Sequence, residues 1–113
     1  MPMKLPMEGG CRCGRCRIRV SKAALLTSAC HCVGCRRMTA SAFSLSVAVP
    51  SDGFELLGGD VVIGGMHDEH QRHYHCDWCK SWLFSRMAVD ASFVNVRATM
   101  LDDHSWLVPF VEL

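Results

Sequence analysis

The sequence lacks an excess of charge of either sign: 12 Lys and Arg face 11 Asp and Glu, a formal net charge of +1 over 113 residues. So balanced a chain has little long-range attraction for nucleic acid or an anionic membrane, and neither partner is expected. It also lacks any apolar run approaching the roughly 20 residues that a membrane-spanning helix needs. The opening stretch, Met1 to Gly10, carries Pro2 and Pro6 where a secretory signal would carry roughly 7–15 apolar residues. Export and membrane association are therefore not expected, and a cytoplasmic location is. Repeats, low-complexity segments and linkers are missing too, and the glycine-rich breaks are short enough to be turns. Residues 1–113 read as one small domain, with residues 1–8 as a flexible leader.

Cysteine is what the chain has in excess, eight among 113 residues. That density belongs to disulfide scaffolds or to metal-binding proteins. In a reducing cytosol clustered cysteines hold metal more often than they pair. A domain of this length buries a modest core, so metal staples closed by four ligands would add stability.

Hydrophobic periodicity points to strands. From Arg15 to Val20 polar and apolar residues alternate strictly, placing Cys16, Ile18 and Val20 on one face and the arginines on the other. Residues 43–49 alternate likewise and are stopped by the turn sequence Pro50-Ser51-Asp52-Gly53. Further strands are expected over residues 54–57, 61–63, 71–75, 82–87 and 93–98, with a short helical turn over 35–40. The fold class is mainly β, with antiparallel sheets forming a small sandwich or open barrel.

The cysteines fall into groups with ligand spacing. Cys11-Arg12-Cys13-Gly14 sets two thiols one residue apart ahead of a turn-forming glycine, and Cys76-Asp77-Trp78-Cys79 is the commonest half-site of structural zinc. Together Cys11, Cys13, Cys76 and Cys79 read as a closed four-thiolate zinc site. Cys30-His31-Cys32-Val33-Gly34-Cys35 offers three thiols, Cys30, Cys32 and Cys35, which would leave the fourth position of a second zinc open. An open position separates catalytic from structural zinc, so this trio is the candidate catalytic site. His31, between two ligands in an extended run, should point away, as a hydrogen-bonded residue rather than a ligand. Cys16 forms a second possible pair with Cys13, which would make an ordinary zinc ribbon with Cys76 and Cys79. Its phase with Ile18 and Val20 reads instead as a buried core thiol.

His67, His70, His73 and His75 are dense, but their irregular spacing fits a solvated loop leading into a strand. Arg12, Arg15, Arg17 and Arg19 read as a strand's solvent face. Arg36 and Arg37 follow the trio directly, where guanidinium groups would offset the −1 charge of a three-thiolate zinc or hold a ligand's carboxylates.

The order Gly9-Gly10-Cys11-Arg12-Cys13-Gly14, Cys30-His31-Cys32-Val33-Gly34-Cys35-Arg36-Arg37 and Cys76-Asp77-Trp78-Cys79 resembles the glutathione-dependent formaldehyde-activating enzyme family, which also includes centromere protein V. The likeness runs from about Gly9 to Leu101-Asp102-Asp103. It implies a mostly antiparallel β-tent fold, a structural zinc on the first and last groups and a catalytic zinc on the middle one. The implied activity is a carbon-sulfur lyase type, joining glutathione and formaldehyde as S-hydroxymethylglutathione, so the implied partners are small thiol and aldehyde molecules. Arg36 and Arg37 are then candidate glutathione contacts, and His31 a candidate for moving a proton. Two departures stand out: Lys80 replaces the family's usual glycine after the last pair, so a different turn is expected there, and the sequence ends at Leu113, short of the tryptophan-bearing tail typical of members. The rival classes are a non-catalytic zinc-binding interaction module with both metals structural, and a thiol reservoir or redox sensor.

Overall fold

A computed structural model describes residues 3–65, 69–108 and 111–112. Ten strands and one short helix follow in the order β1 (Met7–Gly10), β2 (Arg17–Val20), β3 (Leu26–Cys30), α1 (Val33–Thr39), β4 (Ser44–Pro50), β5 (Phe54–Gly58), β6 (Val61–Gly64), β7 (Gln71–Cys76), β8 (Trp82–Met87), β9 (Asp90–Arg97) and β10 (Val111–Glu112). They form a three-stranded sheet, β1-β2-β5, and a seven-stranded sheet, β10-β3-β4-β9-β8-β7-β6. Neighbouring strands run antiparallel except β10, which pairs parallel with β3.

Each strand anticipated from alternation is present within a few residues. The helical turn expected over residues 35–40 is a helix from Val33 to Thr39. Strand β1 corrects the expected leader: Met7 and Glu8 belong to the small sheet, and Met7 is buried. Its signal was weak because Met7-Glu8-Gly9-Gly10 has little β propensity of its own; pairing of Met7 with Val20 and Gly9 with Ile18 makes it a strand. Among the described residues no helix is long and apolar enough to cross a membrane, which says nothing of strands.

The period-2 pattern assigns the faces of the large sheet. Val47 opposes Val96 and Val49 opposes Val94 across β4 and β9, and all four are fully buried. They meet Cys16, Ile18 and Val20 from the small sheet, all fully buried, in a core shared with Leu83, Phe84 and Leu101. The intervening residues, Ser46 opposite Arg97 and Asn95 opposite Ser85, project from the other face. That second face is polar, and α1 sits beside it with Cys35 close to Cys30.

Candidate metal centres and the adjoining cavity

Cys11 and Cys13 lie in the turn between β1 and β2, closed by the Gly14 amide donating to the Cys11 carbonyl at 3.1 Å, with Gly14 at φ +81°. Cys76 and Cys79 lie in the turn between β7 and β8, closed by the Lys80 amide on the Cys76 carbonyl at 3.0 Å. The two turns come from different sheets, yet their four sulfur atoms all lie within 4.8 Å of one another. The Cys11–Cys13 and Cys13–Cys76 sulfur separations are 3.4 and 3.7 Å. A tetrahedral ion with metal–sulfur bonds of about 2.3 Å requires sulfur separations of about 3.8 Å, so the quartet fits such an ion.

Backbone amides supply the charge environment that thiolates need. The Cys16 amide donates to Cys11 Sγ at 3.3 Å and the Cys79 amide to Cys76 Sγ at 3.4 Å. Cys76 is shifted toward the thiolate chiefly by that amide. Ser81 Oγ lies 3.2 Å from Cys79 Sγ, and its interactions, working against burial, bring Cys79 down to about 5.

Cys16 neighbours the quartet without being one of its four converging thiols, and its thiol interacts with those of Cys76 and Cys11. It is fully buried, its Sγ donates to the Asp60 carbonyl at 3.3 Å, and burial pushes its thiol up to about 12. It is a neutral core thiol, as its phase with Ile18 and Val20 indicated. The strand–turn segment beside it requires a glycine: Gly59 adopts φ +88°, and a Cβ there would lie 2.5 Å from the Arg15 carbonyl oxygen and 2.8 Å from Cys16 Sγ.

Lys80 stands where the family usually has glycine. It takes φ +63°, the left-handed conformation glycine would adopt, and Lys80 Nζ donates to the Asp77 carbonyl. The turn is thus made by a residue with a Cβ, at a steric penalty.

The second cluster joins the end of β3 to the start of α1. Cys30, Cys32 and Cys35 place their sulfur atoms within 4.8 Å of one another. Cys32 caps the helix, its Sγ accepting the Cys35 amide at 3.3 Å, and that hydrogen bond is the main cause holding its thiol below the usual range. Cys35 is pushed up to about 11 by burial, which the Ser44 hydroxyl opposes. Cys32 is exposed and its two companions half-buried, so the trio has an open side. Three convergent sulfurs suit a metal that keeps one position for another ligand. All eight cysteines are free.

His31 is not drawn into the trio; its ring packs against Phe43 at a centroid distance of 5.2 Å. Arg36 and Arg37 are exposed on α1 and line none of the cavities beside the trio. Of the histidines, His67 lies outside the described residues and His70 is exposed. His73 lies on β7, in the strand that the loop was expected to lead into, and is buried there, with Nδ1 2.7 Å from Ser85 Oγ. His75 is half-buried and stacks on Trp82.

Beneath the trio lies a polar cavity of about 180 Å³ reached by Cys30 and Cys35. The buried polar residues among those described are Ser44, His73, Ser85 and Arg97, and all four line it. Arg97 Nη1 donates to Ser46 Oγ at 3.0 Å, and its guanidinium lies 3.9 Å from the centroid of the Trp82 ring. Trp82 Nε1 in turn donates to Ser85 Oγ at 2.9 Å. Burial lowers the Arg97 guanidinium to about 10, an effect that Cys35 and Cys30 oppose. On the far side of Trp82 and Arg97 opens a groove of about 380 Å³, walled by Met38, Phe43, Leu45 and Met100. Sequence inspection did not single out Arg97. Its signal is the alternation Val94-Asn95-Val96-Arg97, which puts Arg97 opposite in phase to the core valines; that its face is covered is a matter of tertiary structure.

The chain matches a family model described as glutathione-dependent formaldehyde-activating enzyme over residues 6–113. No curated protein matches it. Its fold is similar to the crystal structure of a Rhodobacter sphaeroides protein determined in a structural genomics programme, with a TM-score of 0.73 and 17% identity over 95% of this chain and 100% of that one. With the family match spanning both cysteine clusters and every strand described, the chain belongs to the glutathione-dependent formaldehyde-activating enzyme family.

Proposed function

We propose that this protein joins glutathione to formaldehyde to give S-hydroxymethylglutathione, a carbon-sulfur lyase-type reaction run toward synthesis, at a zinc site formed by Cys30, Cys32 and Cys35. One observation supports this most: a trio of converging thiols with an open side stands at a polar cavity, in a chain that also has a four-thiol cluster of closed type. Zinc bound by the trio would supply a free ligand position and the Lewis acidity that takes the proton from an incoming thiol at neutral pH. The Cys35 amide on Cys32 Sγ favours the thiolate that such a site requires. The cavity of about 180 Å³ admits a one-carbon aldehyde, and the groove of about 380 Å³ sharing Trp82 and Arg97 with it has room for the body of a tripeptide.

The chemistry balances without an oxidant. A sulfur lone pair forms the S–C bond, the carbonyl π pair moves onto oxygen, and that oxygen takes up the proton given by the thiol. Arg36 and Arg37, on the exposed face of α1, are proposed as contacts for the glutathione carboxylates. In this reading Cys11, Cys13, Cys76 and Cys79 hold a second, structural zinc that ties the two sheets together. Eight free thiols suit a reducing cytoplasm.

Exchange NMR on formaldehyde and glutathione tests the activity. Purified protein should accelerate formation of S-hydroxymethylglutathione over the spontaneous rate, and Cys32→Ser should abolish the acceleration. A wild-type rate equal to the spontaneous one would overturn the assignment.

A further inference from the structure

We infer that Arg97 is the built-in counter-charge of the three-cysteine centre, a positioning residue that favours arrival of a substrate sulfur as thiolate. The inference rests on the proposed thiol chemistry of Cys30, Cys32 and Cys35 and names the group that makes their charge tolerable.

Burying a guanidinium costs several kcal/mol unless an opposite charge accompanies it. Arg97 is only 8% exposed, yet no carboxylate pairs with it among the described residues. Among the described residues no acidic side chain lines the cavity it shares with Cys30 and Cys35. Its two partners are neutral: the Ser46 hydroxyl, which orients Nη1, and the Trp82 ring, which covers one face of the guanidinium. Stacking on a ring attracts the guanidinium but supplies no net negative charge to balance it. The groups left to supply negative charge are Cys30 and Cys35. As free thiols they carry no charge; held by a metal they would be thiolates, and both line the same cavity as Arg97.

The exposed pair Arg36 and Arg37, next to the trio in sequence, is poorly suited to the same role, because solvent screens charges held outside the cavity. Arg97, 62 residues beyond Cys35 in sequence, acts through low-dielectric protein. Three cysteine thiolates, and a fourth brought by the substrate, concentrate negative charge in one place. A fixed cation in the same cavity lowers the free energy of that state relative to the state with the incoming thiol still protonated.

The test separates a counter-charge from a carboxylate receptor. Arg97→Met removes the charge while keeping much of the volume; Arg97→Lys keeps the charge and loses the planar fork. For each variant, affinity of the weaker zinc site is measured against a chromophoric chelator. Binding of 2-mercaptoethanol, which has no carboxylate, and of glutathione is measured from the sulfur-to-metal charge-transfer band of the cobalt(II)-loaded protein. Arg97→Met should weaken the weaker zinc site and both thiols by the same factor, about tenfold or more, with the tighter zinc site unchanged. Arg97→Lys should recover most of the loss for both thiols. Loss confined to glutathione in either variant would make Arg97 a carboxylate receptor and overturn the inference, as would no change for either thiol in Arg97→Met. Should Arg97→Met not fold, Arg97→Gln, which also removes the charge but keeps a hydrogen-bonding end for Ser46, takes its place: equal loss for both thiols is expected, and no change for either would overturn the inference. None of these measurements includes formaldehyde, so absence of aldehyde addition and failure of the Arg97 role are distinguishable.

Discussion

The two cysteine clusters use the same side chain for opposite ends. In the quartet, Cys11 and Cys76 are buried, the ligands come from two sheets, and each turn is closed by its own backbone hydrogen bonds. In the trio, all three thiols come from one β3–α1 connection, Cys32 is exposed, and a cavity opens beside them. A cluster that joins distant segments contributes to folding whatever its metal binding energy is, because the unfolded chain has no preformed site. A local cluster contributes little to holding sheets together and is free to exchange a ligand. Both sets of thiols receive amide hydrogen bonds, so what separates them is ligand number and covering.

The sharpest way to break this contrast is Cys76→Ser. It removes a fully buried thiol from the cluster that joins the sheets, and a loss of more than about 3 kcal/mol of stability is expected, with the variant recovered largely unfolded. Thermal unfolding with zinc present reads this out; a cooperative transition near that of wild type would show that the quartet is not structural. Cys32→Ser should instead leave stability within about 1 kcal/mol while lowering bound zinc from two ions to one. Equal destabilisation by the two substitutions would erase the distinction.

Chelation probes the same difference kinetically. The trio should surrender its metal to a chelator first, with far-ultraviolet circular dichroism unchanged, and the quartet only with unfolding. Simultaneous loss of both metals would place them in one cooperative unit.

Smaller effects sharpen the picture around the quartet. Replacing Lys80 by glycine relieves a left-handed backbone, and after the extra chain entropy of glycine a gain of about 0.5–1 kcal/mol is expected in denaturant unfolding. Destabilisation would mean that the Lys80 Nζ contact to Asp77 matters more than the backbone. The least effect is expected from Arg17→Gln, which breaks the exposed ion pair to Asp102 at 2.7 Å and should cost less than about 1 kcal/mol, diminishing with added salt.

Much of the fold was legible because strand alternation is local. Residues 15–20 and 43–49 announce their faces by period 2, and both appear as strands, β2 and β4. β1 and β3 were not legible: Met7-Glu8-Gly9-Gly10 and Leu26-Thr27-Ser28-Ala29-Cys30 lack alternation and gain their conformation from pairing with β2 and β4. The cysteine partition was legible for a similar reason, since close spacing limits which thiols meet. Even Cys16, ambiguous by spacing, was placed correctly by its strand phase. The burial of His73 was not legible because irregular spacing says nothing of what a neighbouring strand covers: β8 brings Ser85 to His73.

The sequence by itself determined three things: a mainly β chain, a division of eight thiols into four, three and one, and a family resemblance carried by that division. Each rests on residues within a turn or a strand, where covalent geometry limits the outcome. Only the tertiary structure decided which cation faces the trio. Arg36 and Arg37 are its neighbours in sequence, but α1 carries them on its exposed side, while pairing of β4 with β9 sets Arg97 opposite Ser46 and beside Trp82. Burial then makes the difference, because a charge matters most where water is excluded.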